Sequence, residues 1–331
     1  MFHYKPLLLH YFITNRCNAR CSFCDIWCEK PKADAQLANV KINLRHARSA
    51  GCRFVDFTGG EPLLNSELPA FLLHAKQLGF ITSVTTNCLL FEQRAAELAG
   101  LVDLLHFSID ADTAAHHDRI RGVASFRQVV NAIPLALHHD LVPDLLFTYT
   151  DENIDAVEGV YAYAKTYRLM LILDPVFATE SSDTVTVLTH QKARRFARRP
   201  GVYLNPAHLR LRKQGGNQPD RPACRAVTST VVILPDNRLA LPCYHHFSNT
   251  IALQGNLLEE LQNTLRLNAE RYQGKYPFCN GCHINCYFDP SFSSQINRLT
   301  LLSSFAKLKY AFWKYVIYKR KLPVLRKGAV M

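Results

Sequence analysis

The chain has 331 residues, 48% of them apolar, and a formal net charge of +12 from 39 Lys and Arg against 27 Asp and Glu. That length and apolar content suit one large or two modest globular domains and exclude intrinsic disorder. No uncharged apolar run is long enough to span a bilayer, and the N-terminus lacks the basic, apolar and small-residue order of a secretory signal, which points to a cytoplasmic protein.

Taken in chain order, apolar runs of strand length alternate with helical stripes. Strands are predicted at Leu7 to Ile13, Phe54 to Phe57, Ile81 to Thr85, Leu104 to Ile109, Leu145 to Tyr149 and Leu169 to Leu173. After the second strand, Asn65 or Ser66 can cap a helix with the stripe Leu68, Phe71, Leu72, Ala75 and Leu78, closed by Gly79. Helices follow at Glu92 to Ala99, Phe126 to His139 behind Ser125, and Asp155 to Tyr167. Six such units over residues 1–180 make a partial (β/α)6 barrel, too few for a closed eightfold one, with reactive groups on the loops after the strands. Residues 181–222 read as a linker with a basic helix. Residues 223–290 read as a small Cys-rich α+β extension of short strands, including Val231 to Leu234, that turns at Pro235-Asp236-Asn237. Residues 291–331 form a basic tail in which 298–320, free of Pro and Gly, can be one helix.

The charge sits in two patches. Residues 290–331 hold nine Lys or Arg and no acid, and 191–225 hold ten against Asp220 alone, so the rest of the chain sums to −6. In the tail, Leu301, Phe305, Leu308, Phe312, Tyr315 and Val316 form an apolar stripe, with Lys307, Lys314 and Lys321 predicted to project away from it and Lys319, Arg326 and Lys327 following. Such a helix over 298–327 suits the surface of an anionic membrane, making the protein peripheral there; the alternative is a helix docked on the barrel or a partner subunit. The 192–225 segment is either a solvated helix or faces an anionic substrate group. Nucleic-acid binding is disfavoured, because basic and aromatic residues do not interleave on strands.

Eleven cysteines in a reducing compartment read as metal ligands rather than disulfides. Cys17-x3-Cys21-x2-Cys24 puts three thiolates on one loop after the first strand, which suits a [4Fe–4S] cluster with one iron left open; a structural zinc site would want a fourth ligand. Cys224 and Cys243 flank the predicted strand-turn-strand and Cys279-x2-Cys282-x3-Cys286 follows, so four thiolates can converge on a second cluster or on a zinc ribbon. Cys28, Cys52 and Cys88 read as small buried hydrophobes.

The first triplet, with Phe23 before its last cysteine, resembles the signature of the radical S-adenosylmethionine (SAM) superfamily. Thr58-Gly59-Gly60-Glu61-Pro62 is similar to that family's glycine-glycine-glutamate motif. Thr86-Asn87, Ser108-Ile109-Asp110, and His117 to Gly122 with Ser125-Phe126 match later strand ends and loops, so the resemblance covers roughly residues 7–177. It implies a [4Fe–4S] cluster on Cys17, Cys21 and Cys24 that reductively cleaves bound SAM to a 5′-deoxyadenosyl radical, fed by a flavodoxin- or ferredoxin-type electron donor. Gly59 and Gly60 would let backbone approach the ligand, and Glu61 would accept from its ammonium. Asn87, Ser108, Asp110 and Arg121, with Phe23, would complete the cofactor site. The cysteine-rich extension resembles the twitch domain, a shorter relative of the SPASM extension. This implies an auxiliary cluster on Cys224, Cys243, Cys279 and Cys282 with Cys286 in reserve, and Asn237 standing where Gly is common. Tyr244, His245 and His246 are expected to pack around that cluster, and Tyr149 and Asp174 to touch substrate at the last strand ends. The substrate is read as a small molecule or a lipid-linked precursor, or alternatively a ribosomally made peptide. The short lead before the first strand argues against a peptide-recognition domain there.

Overall fold

A computed structural model describes residues 5–177, 184–247 and 249–323; residues 178–183, Arg326 and Lys327 lie outside them. β1 (Leu8–Thr14), α1 (Leu37–Ala50), β2 (Phe54–Gly59), α2 (Leu68–Gln77), β3 (Ile81–Thr86) and α3 (Phe91–Leu98) open the chain. β4 (Leu104–Ser108), α4 (Ala114–Arg121), α5 (Phe126–His138), β5 (Pro143–Tyr149), α6 (Val157–Tyr167) and β6 (Leu171–Pro175) continue it. β1 to β6 pair in chain order, all parallel, as the strand-helix grammar predicts.

Strand alternation sorts the side chains. Leu9, Tyr11, Ile13, Val55, Phe57, Leu105, Phe107, Leu145 and Phe147 are fully or almost fully buried in one core under the helices. The opposite parity carries His10, Phe12, Asp56, His106, Ser108, Asp144 and Asp174. A parallel sheet ordinarily buries apolar residues on both faces, so a concave face this polar marks a lumen built to receive something.

Several elements were not legible. α1 joins through Val40, Leu44 and Ala47, and its buried Asn43 donates to Tyr11 Oη (3.0 Å) and Asn237 Oδ1 (2.7 Å). The stretch read as a linker with one basic helix holds α7 (Val187–Phe196), β7 (Val202–Tyr203) and α8 (Pro206–Lys213), and β7 extends the sheet beside β6. Its cations are partly occupied: Lys192 pairs with Asp155 and Arg199 with Glu158, both at 2.6 Å, while buried Arg212 donates to Val176 O at 2.8 Å.

The cysteine-rich extension contains α9 (Ala226–Ser229), β8 (Thr230–Ile233), β9 (Arg238–Leu241), β10 (Asn249–Ala252), α10 (Leu257–Glu260), α11 (Thr264–Tyr272) and α12 (Asn285–Ser293). Its strands are not a separate sheet. β8 lies parallel to β1, with Leu8 opposite Thr230 and Tyr11 opposite Ile233, and β9 and β10 add antiparallel beyond it. The described residues thus form one ten-stranded sheet in the order β10-β9-β8-β1-β2-β3-β4-β5-β6-β7. Asn237, standing where Gly is common, takes the left-handed turn conformation (φ 61°), which Asn tolerates.

The tail forms α13 (Arg298–Ala311), prolonged by a wider π-type turn over Phe312–Ile317. Asn297 caps it, accepting from the Leu299 and Thr300 amides. Lys314 projects away from the apolar stripe as predicted, but into the barrel, where it is buried with its Nζ 2.8 and 2.7 Å from the two carboxylate oxygens of Asp144. No helix among the described residues is long and apolar enough to cross a membrane.

Candidate active site

Cys17, Cys21 and Cys24 ride on a loop that leaves β1 and is gripped from three sides. From β2, the amides of Gly60 and Glu61 donate to Thr14 O (2.9 Å) and Arg16 O (2.8 Å). A Cβ on Gly59 would stand 1.9 Å from Thr14 O, and one on Gly60 2.0 Å from Arg16 O. The close approach that demands these glycines here is to the cysteine loop. From α4, the loop amides of Arg20 and Ser22 donate to Arg121 O and Ile120 O, both at 2.9 Å. A Cβ on Gly122 would meet Arg20 O at 2.5 Å. From β3, Asn87 Nδ2 donates to Asn18 Oδ1 at 2.8 Å.

Glu61 is buried, and its carboxylate already accepts from Leu63 N (3.1 Å), Thr86 Oγ1 (2.7 Å) and Asn87 N (2.8 Å). Those bonds leave one lone-pair direction for a ligand ammonium, so its first task is to tie the β2 loop to the end of β3. Burial raises its pKa, against these donors. Asp110 is fully buried; its Oδ2 lies 2.5 Å from Arg121 Nη2 and its Oδ1 accepts from Thr148 N at 3.0 Å. Arg121 in turn donates to Cys21 Sγ (3.6 Å) and stands 5.6 Å from the Phe23 ring centroid. The predicted cofactor contacts Asp110, Arg121 and Phe23 thus form a cationic brace against the cysteine loop. Ser108 ends β4 buried on the lumen side.

The His117–Gly122 motif is also structural. Burial drives His117 down to about 3, so it is neutral; its Nδ1 accepts from Asp110 N (3.1 Å), which leaves Nε2–H to face Ser125 Oγ (3.1 Å). Asp118 Oδ1 caps α5, accepting from the Ser125 and Phe126 amides at 2.8 Å each.

Burial pushes the Cys17 thiol up to about 11 and raises Cys24, with neighbouring thiols adding to both. Three half-buried thiols on one loop beside a guanidinium suit a metal that holds them as thiolates, and this donor set fits a [4Fe–4S] cluster with one iron left to a ligand.

At the second set, Cys224, Cys243, Cys279 and Cys282 line a single cavity together with Asn217 and His246. Burial, reinforced by neighbouring sulfurs, pushes Cys243 up to about 12 and Cys279 to about 11 and holds Cys224 well above the thiol range. Cys286 does not line this cavity; it is half-buried near Asp174 and Asp56, its thiol pushed up to about 12 by desolvation. The residue missed in the sequence is Asn217. Fully buried, it donates through Nδ2 to Gly274 O (2.7 Å) and Cys279 O (3.0 Å), accepts through Oδ1 from Ala223 N (3.0 Å) and Cys224 N (3.1 Å), and donates its amide to Cys282 O (2.8 Å). One residue thus ties the Cys224 segment to the Cys279–Cys282 segment, and only its position in Gly215-Gly216-Asn217 could have hinted at it.

An aromatic wall joins the lumen to this cavity. Phe12 stacks on Tyr244 with centroids 3.9 Å apart, Tyr287 meets His10 (5.9 Å) and His245 (6.2 Å) in T-shaped contacts, and His246 stacks on Phe278 (5.0 Å). Tyr244 also donates to the Glu29 carboxylate.

The two substrate-side residues part company. Tyr149 shares the parity of Leu145 and Phe147, is fully buried on the helix side, and bonds His190 Nδ1 at 3.0 Å, so it does not face the lumen. Asp174 does, with Asn285 Nδ2 at 3.3 Å and its pKa pushed up to about 6 by burial. Cys28, read as buried, is exposed, while Cys52 and Cys88 are buried.

A carboxyl that titrates near 6 when folded and near 3.8 when unfolded weakens the fold as pH rises between those values. Asp174→Asn is therefore expected to be more stable than wild type above pH 6 and to lose that advantage below about 4. Urea midpoints across this range check it; a constant difference would show that the carboxyl titrates normally.

The comparisons agree with this geometry. Residues 11–164 match the family model described as the radical SAM superfamily. A probable GTP 3′,8-cyclase of Saccharolobus solfataricus is 34% identical over 141 residues, 41% of this chain and 45% of that protein. A GTP 3′,8-cyclase of Clostridium acetobutylicum is 32% identical over 162 residues, 45% and 49% of the two chains. The chain thus matches about half the length of these curated relatives. Among solved structures, Streptococcus suis SuiB bound to S-adenosylmethionine superposes with a TM-score of 0.66 at 14% identity, covering 89% of this chain and 76% of that one. Native anSMEcpe with bound AdoMet gives 0.63 at 17%, covering 96% and 100%. These likenesses extend the fold into the cysteine-rich part. Residues 11–164, nearly half of the chain, are therefore a radical SAM domain.

Proposed function

We propose that the protein binds a [4Fe–4S] cluster through Cys17, Cys21 and Cys24, and cleaves SAM reductively so that the resulting 5′-deoxyadenosyl radical takes hydrogen from a substrate in the lumen. The observation that carries this is the gripped cysteine loop, with Glu61, Asn87 and Arg121 converging on it. The bound cluster and SAM would supply the one-electron chemistry. The chain's own residues fix the loop, hold a cation beside the thiolates and exclude water. A second centre, on Cys224, Cys243, Cys279 and Cys282, would lie behind the aromatic wall.

The lumen favours a polar substrate, since Asp56, Asp174, His10 and His106 line its concave side; His10 and Asp56 pair there at 3.1 Å. A small molecule, free or lipid-linked, is the first reading. A peptide is the second, supported by structural neighbours crystallised with one: SuiB with its precursor peptide SuiA, and anSMEcpe with the Cp18Cys peptide.

Anaerobically reconstituted protein should hold about eight iron atoms, and the Asn217→Ala variant about four, because the cavity loses its organiser. Incubation with SAM and dithionite should yield 5′-deoxyadenosine. Full iron loading with no 5′-deoxyadenosine would sink the reading. About four irons and one cluster signal in the wild type would make the second site zinc.

A further inference from the structure

α13 docks on the barrel by its polar side. Lys314 and Tyr310 both bond Asp144, and Ser303 Oγ accepts from Asn205 Nδ2 at 3.0 Å. Arg320 donates to Tyr167 O and Arg168 O at 3.2 Å each, and Arg168 to Ile317 O at 3.1 Å. Asp144, Tyr167 and Arg168 lie at or just before the N-terminal ends of β5 and β6, whereas Asn205 follows β7, so the tail runs along the barrel from one strand end toward the other.

The side turned away is apolar. Leu301, Phe305, Leu308, Phe312 and Val316 are 49–65% exposed and recur at intervals of four, three, four and four residues, one unbroken stripe. At about 1.5 Å per residue the stripe runs about 22 Å. Ile296 before the helix and Leu322 after it, exposed 104% and 65%, prolong it. Water-soluble surfaces rarely leave such a row uncovered.

Charge identifies the occupant. The 290–331 segment contains nine cations and no acid, and Arg298, Lys319 and Lys321 are exposed at the two ends of the stripe. A second copy would bring two such segments together and repel, whereas anionic headgroups would neutralise the cations while the acyl boundary takes the apolar side chains. We propose that this stripe lies in the interface of an anionic bilayer, parallel to its surface, and so holds the protein peripherally. The proposal stands independently of the chemistry proposed above.

The test is flotation of the full-length holoprotein with phosphatidylcholine vesicles, with and without phosphatidylglycerol. It is run beside the quadruple variant Leu301→Ser, Phe305→Ser, Leu308→Ser and Phe312→Ser, which changes only exposed positions. Wild type should float with the anionic vesicles and lose binding as salt rises, and the variant's bound fraction should fall about tenfold at unchanged melting temperature. Equal flotation of the two proteins, or none by wild type, would overturn the proposal. A concentration-dependent dimer that the same substitutions abolish, without vesicle binding, would assign the stripe to a second copy instead.

Discussion

Replacing Cys17, Cys21 and Cys24 together by Ala is expected to reduce 5′-deoxyadenosine and methionine formation from SAM to background and to lower bound iron from about eight to about four atoms per chain. The fold should survive, because the loop is held by its backbone and not by its sulfurs: Gly60 and Glu61 donate into it from one side and α4 accepts from it on the other. Reductive assay with product chromatography and iron quantitation check both parts. Normal 5′-deoxyadenosine formation by the triple variant would remove the assignment of these residues. A sharper companion is Gly60→Ala, which deletes no ligand. Its Cβ would meet Arg16 O at 2.0 Å, so the loop must shift, and a comparable fall in SAM cleavage is expected. Iron lost in proportion to activity would locate the damage at the cluster. Iron retained with activity lost would locate it at SAM.

The second large effect concerns stability. Lys314 and Asp144, 3% and 0% exposed, form a buried ion pair that joins the tail helix to the second residue of β5, with Tyr310 donating to the same carboxylate. Removing one partner strands the other charge in a low-dielectric interior, so Lys314→Met is expected to destabilise the protein by about 3–5 kcal/mol. The double variant Asp144→Leu/Lys314→Met should recover most of that loss, since no orphan charge remains. Urea denaturation of both variants checks the pair, and equal losses in the single and double variants would show that packing, not charge, is responsible. A deletion of the tail would expose Asp144 in the same way, so surface substitutions are the cleaner probe of membrane binding.

That pair also explains where sequence reasoning stopped. The stripe from Leu301 to Val316 was visible in the sequence, but periodicity reports a stripe and not what lies against it. The usual inference that the apolar side is covered fails here because Asp144 lies far away in the sequence and captures Lys314. The six parallel strands were legible because each is a compact apolar run bounded by turn residues. α1 was not, because its buried side includes a polar residue, Asn43, whose partners Tyr11 and Asn237 are brought near only by the fold. The cysteine triplet was legible from spacing alone, whereas the braces that hold its loop, Arg121 with Asp110 and Asn87 with Asn18, depend on contacts between distant segments. Tyr149 was misplaced because strand ends were located correctly but parity was not applied: two residues beyond Phe147, it must share the side of that core residue.

The pairing of β8 with β1 has a consequence for electron flow. Cys17 follows three residues after β1 and Cys243 two residues after β9, and the intervening strands are knit into one sheet. Were both cysteine sets to hold redox centres, as proposed, centres anchored at such points would keep a fixed tunnelling gap. Transfer between them would not wait for a hinge to close, and its rate should be indifferent to solvent viscosity while remaining sensitive to the aromatic groups, Phe12 and Tyr244, stacked in the space between.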